Sequence, residues 1–388
     1  MSGGRGSGRR LLVVSHAAVT PLNLSPYAHL SAAGWNVSVV IPARWRSEWG
    51  GPARVPVVDG FPGTILPLPT RLSGNIPLHH YPTAALVRTV DRVRPSVMYI
   101  EEEPYAWTAY QLGKLAWSRG IPFAVYAAQN LLKVYPAPFA RREAWVLRHA
   151  AACIAITADV ATVLRRKGRS SAVFEVPLWV AGAPAAIGPA EMAPLRESKF
   201  RVGYAGRLVP EKGIDVLLAG FAASGIHNAV LQIAGSGPLL PSVQRLAARW
   251  GQAHGPRVQL LGALPHAEVP QFLAALDVLV LPSRDTARWS EQFGRVIVEA
   301  ASLGVPTIGA RAGWIPRLVA ELDGVCVEQG DVPGLARALR GVHASAYGSD
   351  WSQRASDRRR AAQRYRVERV AEELSGVLLT LLAGERGA

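Results

Sequence analysis

The chain has 388 residues, 49% hydrophobic and 18% charged, with a formal net charge of +15. That length suits two domains of ordinary size, and that balance excludes a disordered chain. Its two cysteines, Cys153 and Cys326, sit in different halves without metal-ligand spacing, and no apolar run reaches 18 residues, which argues against a disulfide scaffold, a zinc module and a membrane span.

In chain order, MSGGRGSGRR reads as a basic flexible arm, and LLVVSH behind it turns polar too soon for a signal peptide, so it reads as a first strand. NVSVVIP (36–42), PSVMYIEEE (95–103), PFAVYAAQN (122–130), ACIAIT (152–157) and FEVPL (174–178) read as further strands. Residues 82–94, 109–120 and 158–168 carry helical periodicity between them. That alternation predicts a mostly parallel sheet covered by helices. Residues 58–75, dense in Pro and Gly, read as a surface loop or lid.

Ligands of open α/β sheets sit beyond the carboxyl ends of the strands. In the first half those ends carry His16, Glu101, Glu102, Glu103, Gln129 and Asn130. A strand-end histidine is more often an ordinary polar residue than a catalyst. Side chains alternate along a strand, so one or two of the three glutamates must face inward and need a partner; Lys133, Arg141 or Arg142 would serve. His79-His80 fits no metal pattern and reads as packing.

Residues 181–199 shift in composition and read as a linker between an N-terminal domain (1–180) and a second alternating block (200–350). There FRVGYAGRLVPEKGID (200–215) runs from a strand through Gly206, Arg207 and Lys212 into a helix. Arginine forks onto phosphate oxygens and lysine adds a point charge, which suits a diphosphate. Gly235 lies in AGSGPL, after the next strand. Later, LDVLVLPS reads as a buried strand and FGRVIVEAASLG as a helix, putting Glu291 and Gln292 in the turn between them and Glu299 about two turns on. N–H groups of Phe293, Gly294 and Arg295 at that helix start would favour an anion. A lone pair of glutamates at this spacing is usually an ordinary surface helix; a second phosphate-type site in the same half is what raises it. From Trp351 to 388 the chain reads as a basic amphipathic helical region. Only five of its 43 basic residues are lysines, and many arginines, as in SDRRRAAQRYRVERV (356–370), read as solvated helix faces.

GRLVPEKGID, AGSGPL, LDVLVLPS and EQFGRVIVEAASLGVPTIGARAG, in this order over about 200–365, resemble the C-terminal half of retaining family 4 glycosyltransferases. The resemblance implies a GT-B fold: two Rossmann-like doubly wound domains facing across a cleft, with residues 351–388 crossing back onto the first. It implies a nucleotide-diphosphate-sugar donor bound by Gly206, Arg207, Lys212, Gly235, Glu291, Gln292, Phe293, Gly294, Arg295 and Glu299. Within that set Arg207 and Lys212 would neutralise the diphosphate, Glu299 would hold the ribose, and Glu291 the transferred sugar. The N-terminal half becomes the acceptor side, taking a glycan, a lipid-linked or a small-molecule acceptor. Two features depart from the family there: no Gly-rich loop follows the first strand, and Gln129 stands where many relatives have histidine. Glutamine takes no proton at neutral pH, so either no side-chain base acts from that position, or His16 or one of Glu101 to Glu103 does that work.

No DxD-like pair stands at a strand end, so no metal and no other cofactor is expected, and the leaving diphosphate is expected to take the acceptor's proton. Net charge favours an anionic membrane surface, hence a cytoplasmic protein peripheral on the inner face; without basic–aromatic interleaving, nucleic acid is not expected. The rival functions are an epimerase or phosphorylase on the same scaffold and a non-catalytic nucleotide or glycan binder. A dehydrogenase lacks its GxGxxG here.

Overall fold

The computed structural model describes residues 9–46, 52–54, 60–168, 172–181, 199–254, 258–346 and 348–384. The arm at residues 1–8 and most of the expected linker, 182–198, lie outside the described residues. The chain divides into two compact units, Met1–Pro177 with Val367–Ala388, and Leu178–Arg366.

The first unit runs β1 (Arg10–Ser15), α1 (Ser25–Ala32), β2 (Asn36–Pro42), β3 (Arg44–Arg46), β4 (Pro52–Arg54), β5 (Thr64–Leu68), α2 (Thr83–Val93), β6 (Val97–Glu101), α3 (Trp107–Ser118), β7 (Phe123–Ala127), α4 (Ala137–His149), β8 (Ala152–Ala155), α5 (Ala158–Arg166) and β9 (Val173–Glu175). Seven strands form one sheet, in the order β5-β2-β1-β6-β7-β8-β9, and every pairing in it is parallel. Strands buried on both faces need continuous apolar runs, which is what LLVV, VSVVI and VMYI supply. Residues 64–68 correct the expectation of a loop over 58–75: TILPL adds an edge strand against β2. Its proline, Pro67, hid it, and at an edge the missing N–H of proline is tolerated.

The second unit runs β10 (Phe200–Ala205), α6 (Ile214–Ala223), β11 (Ala229–Ala234), α7 (Leu240–His254), β12 (Val258–Gly262), α8 (Val269–Ala274), β13 (Val278–Leu281), α9 (Arg295–Ser302), β14 (Thr307–Ala310), α10 (Ile315–Glu321), β15 (Val325–Val327), α11 (Val332–Ser345) and α12 (Trp351–Ala362). Its sheet, β12-β11-β10-β13-β14-β15, is again parallel throughout. The short β15 was not legible, because three residues carry too little pattern. Both units therefore have the doubly wound arrangement of a GT-B chain.

The last helix, α13 (Val367–Gly384), belongs to the first unit and packs on α1. Val367, Val370, Ala371, Leu374, Val377 and Leu378 are its buried stripe, and each buried Val or Leu contributes about 1.5–3 kcal/mol. Trp35 adds a hydrogen bond to Ser375. The segment expected on the first unit from Trp351 onward divides at Arg366: α12 stays with the second unit, packed on α9. No described helix is long and apolar enough to cross a membrane.

The arginines of α12 explain its placement, and they are not all on a solvated face. Arg358 is 1% exposed and reaches the carbonyls of Gly304 and Asp323 as well as the Asp323 carboxylate at 3.0 Å. Arg354 binds the same carboxylate through two bonds of 2.9 and 2.7 Å. Arg358→Ala should cost about 2 kcal/mol, since it removes a buried guanidinium from a half-exposed carboxylate and from two carbonyls. Urea denaturation checks this; a loss under about 1 kcal/mol would mean that water replaces the guanidinium.

Candidate active site

Each sheet reverses its winding once, and ligand crevices of doubly wound sheets lie at that reversal, beyond the strand carboxyl ends. In the second unit the reversal falls between β10 and β13. The loops leaving these strands come together closely. Gly213, at φ 65°, caps α6, and a Cβ there would stand 2.1 Å from the Pro282 carbonyl oxygen. Across this approach Lys212 Nζ meets Glu291 Oε2 at 2.5 Å, and Ser283 Oγ donates to the same oxygen at 2.9 Å. Lys212 also lies over the Trp289 ring, 5.0 Å from its centroid. Glu291 is only 8% exposed, so the ammonium and the hydroxyl supply the partners its buried charge requires.

The other expected donor residues lie on the loops that leave β10, β11 and β13 and on α9. Gly206 and Gly235 leave β10 and β11 in contact: the Gly206 N–H donates to the Ala234 carbonyl, and a Cβ on Gly235 would stand 1.9 Å from the Gly206 oxygen. Arg207 is exposed, and its carbonyl accepts a 2.7 Å bond from the buried Tyr204 hydroxyl. Gly294, at φ 86°, is the N-cap of α9, a left-handed position that suits glycine. α9 begins at Arg295, so Glu299 stands little more than one turn inside it, nearer the helix start than sequence suggested. Arg295 pairs with Glu299 at 3.4 Å and lies over the Trp179 ring. Burial raises the Glu299 carboxyl above its ordinary range, against the pull of Arg295 and His266. Gln292 is half-buried, while the Phe293 ring is packed against Tyr365, so only its main chain is free for a ligand role. Ser283 and Trp289 complete the corner; sequence placed Ser283 only at the end of the LDVLVLPS strand.

In the first unit the reversal falls between β1 and β6. There the main-chain N–H of His16 donates to Glu102 Oε1 at 2.9 Å, and His16 Nδ1 meets Oε2 at 2.7 Å. His79, wholly buried, brings Nε2 to Glu102 Oε1 at 3.2 Å while its Nδ1 is bonded to the Ile76 carbonyl at 3.0 Å. Trp45 packs edge-on to His79 and against His16, with centroids 5.0 and 4.9 Å away. The donor atoms of His16, His79 and Glu102 lie within 4.8 Å of one another, near enough for a cation, but hydrogen bonds already join them. Burial alone would raise Glu102; the two histidines outweigh it and hold the carboxyl at about 2. Burial opposes protonation of His16, yet Glu102, with Glu101 and Glu103 behind it, carries the imidazole above its ordinary 6.5.

The three glutamates thus part company. Glu101 accepts from the Tyr27 hydroxyl at 2.6 Å, and burial raises it against that bond and one from Ser15. Glu103 accepts the Ala128 N–H at 3.0 Å, and burial pushes it up to about 7. Gln129 holds the Leu131 N–H, and it and Asn130 sit half-buried after β7. The partners anticipated for the glutamates were basic residues; they are histidines, hydroxyls and a main-chain N–H, and Arg142 instead covers the Trp107 ring. His79 is the residue sequence reasoning missed. It reaches Glu102 across 23 positions, and no local spacing announces such a contact.

Comparison with known proteins agrees in both units. The family profile described as glycosyl transferases group 1 matches residues 199–345, and that of the glycosyl transferase 4-like domain matches 24–179. A 2-deoxystreptamine glucosyltransferase of Streptomyces kanamyceticus is 26% identical over 356 residues, covering 79% of this chain and 88% of that relative. A GDP-mannose-dependent alpha-(1-6)-phosphatidylinositol monomannoside mannosyltransferase of Mycolicibacterium smegmatis is 33% identical over 138 residues; the match spans 34% of this chain and 36% of that relative's length. Among solved structures, Anabaena HepE in complex with UDP superposes with a TM-score of 0.74 at 20% identity, covering 96% of this chain and all of the other, a likeness of fold.

Proposed function

The chain belongs to the group 1 glycosyltransferases, and on that footing we propose that it is a retaining enzyme moving a sugar from a nucleotide-diphosphate sugar to an acceptor hydroxyl. The observation that carries this reading is the Lys212–Glu291 pair at the β10–β13 reversal. Arg207, Lys212 and the N-terminus of α9 meet the charge that grows on the leaving diphosphate as the anomeric bond breaks. They do the work a divalent ion does elsewhere, so the reaction runs without metal. Glu291 accepts bonds from hydroxyls of the transferred sugar, and Glu299 from the ribose. Attack from the face of the departing diphosphate retains the configuration.

Support for a nucleotide-sugar donor comes from relatives: one is named for its dependence on GDP-mannose, and HepE has been crystallised with UDP-glucose. The acceptors in two relatives' names, a phosphatidylinositol mannoside and 2-deoxystreptamine, both present hydroxyls. Together with the +15 net charge they favour a glycan or glycolipid acceptor in cell-surface biosynthesis, at an anionic inner membrane face. The test is thermal stabilisation by UDP, GDP, ADP and dTDP and by UDP-glucose and GDP-mannose. One nucleotide series is expected to raise Tm by several degrees; no shift at millimolar concentrations of any would sink the reading.

A further inference from the structure

Large hydrophobic side chains exposed among the described residues gather in one stretch of the first unit: Trp107 and Trp117 on α3, and Leu132 and Val134 on the loop between β7 and α4. Trp117 is 59% exposed and Val134 96%, so packing within the unit does not use them. Resting on the reading above that the acceptor lies at an anionic membrane face, we propose that the α3–α4 face of the first unit is the surface that docks on anionic lipid.

The sequence of the two helices builds that face. On α3, Trp107, Lys114 and Trp117 recur at helical spacing and are exposed, while Ala109, Leu112 and Gly113 are buried, Gly113 against Phe123 of β7. On α4, Phe139, Arg142, Trp145 and His149 recur the same way, half-buried, and meet the α3 stripe. The Arg142 guanidinium covers the Trp107 ring, 4.2 Å from its centroid, and Lys114 Nζ stands 5.1 Å from the centroid of Trp145. Trp145 takes Tyr110 edge-on at 5.4 Å and stacks on His149 at 4.1 Å. At the N-terminal end of the pair, Tyr135 tilts against Tyr105 at 4.5 Å, which holds the loop bearing Leu132 and Val134 beside the start of α3.

Leucine, valine and alanine would suffice to close two helices. Tryptophan and tyrosine favour places where one end is apolar and the other wet, and lysine and arginine lay their stems along such rings with the charge in water. Charge completes the case. From 104 to 149 the basic residues are Lys114, Arg119, Lys133, Arg141, Arg142 and Arg148, and Glu143 is the one acid. Glu143 is taken by Lys167 at 2.7 Å, and Arg119 by Asp91. Arg141 and Arg148 are exposed on α4 with no ion pair among the described residues. Cations set around apolar tips complement an anionic headgroup layer, where the tips enter the acyl boundary and each cation adds attraction.

The experiment sediments the full chain with vesicles, one set of phosphatidylcholine alone and one with a third of phosphatidylglycerol. Wild type should bind the anionic set about tenfold or more tightly than the neutral one, and raised salt should weaken that binding. Arg141→Ala with Arg148→Ala should weaken it about 30-fold, and Trp117→Ala about tenfold. Arg360→Ala with Arg369→Ala removes as much charge from α12 and α13 and should change it less than about threefold. An equal loss in that control would overturn the surface, since net charge alone would then hold the chain to the bilayer. Tryptophan emission that responds to dextran or to protein concentration, with no vesicle binding, would overturn it in favour of a glycan or a second copy. Stabilisation by UDP and GDP is read on the same samples. A wild type that a nucleotide stabilises but that binds neither vesicle loses the membrane surface and keeps the transferase reading.

Discussion

Lys212→Ala is expected to lower kcat about 10³-fold while KM for the nucleotide sugar moves by less than about tenfold. The ammonium sits at the winding reversal, 2.5 Å from Glu291, in a corner walled by the Trp289 ring and the Pro282 carbonyl. In so confined a place a fixed cation is worth most where charge grows, on the diphosphate as it leaves, and little in the ground state. The same substitution takes the ammonium from the buried Glu291 carboxylate, so a modest loss of stability, about 1–2 kcal/mol, should accompany it. Lys212→Ala combined with Glu291→Gln separates the two effects. If the pair acts as a unit, the double variant is scarcely slower than Lys212→Ala and is more stable, because the buried negative charge is removed along with its ammonium. Steady-state kinetics and urea denaturation of the three variants give the answer; a kcat for Lys212→Ala within tenfold of wild type removes the lysine from the chemistry.

The meeting of the β10 and β13 loops was legible in the sequence because its parts are local. GRLVPEKGID and EQFGRVIVEAASLG each carry a strand end, a glycine turn and the charged residues in one short stretch, and the parallel pairing of β10 with β13 brings the two together. The first unit has no such packaging. Its pair is joined across 86 positions through a hydrogen bond between β1 and β6 loops, and His79 enters from a third segment. Composition could say that Glu102 needed a partner, but only the register Ser15 to Glu101 decides that the next residue on each strand, His16 and Glu102, meet. Likewise the arginines of α12 look alike in sequence. What makes Arg358 a buried staple is Asp323, at φ 52° in a turn 35 positions away. Local chemistry is written in runs of residues; pairing across the sheet is written only in the topology.

Glu299→Ala is expected to act differently, raising the dissociation constant of the nucleoside diphosphate about 10²-fold while leaving kcat within a few-fold. Two hydroxyl bonds to a carboxylate are worth about 1.5 kcal/mol each or more, and a ribose holds them equally before and during transfer. The contact is therefore uniform binding, felt in affinity and not in the chemical step. Its pH dependence follows from the same carboxyl. Only ionised Glu299 accepts both bonds, and burial places its proton affinity above the ordinary 4.5, with Arg295 limiting the rise. Nucleotide affinity should then be full at high pH and fall, as pH drops, through a value above 4.5. Glu299→Gln should bind weakly and show that fall no longer. Calorimetric titration of UDP or GDP between pH 5 and 8 reads all three proteins. Affinity that is unchanged in Glu299→Ala, with the wild-type pH profile intact, would assign the ribose to another residue and leave Glu299 as no more than the partner of Arg295.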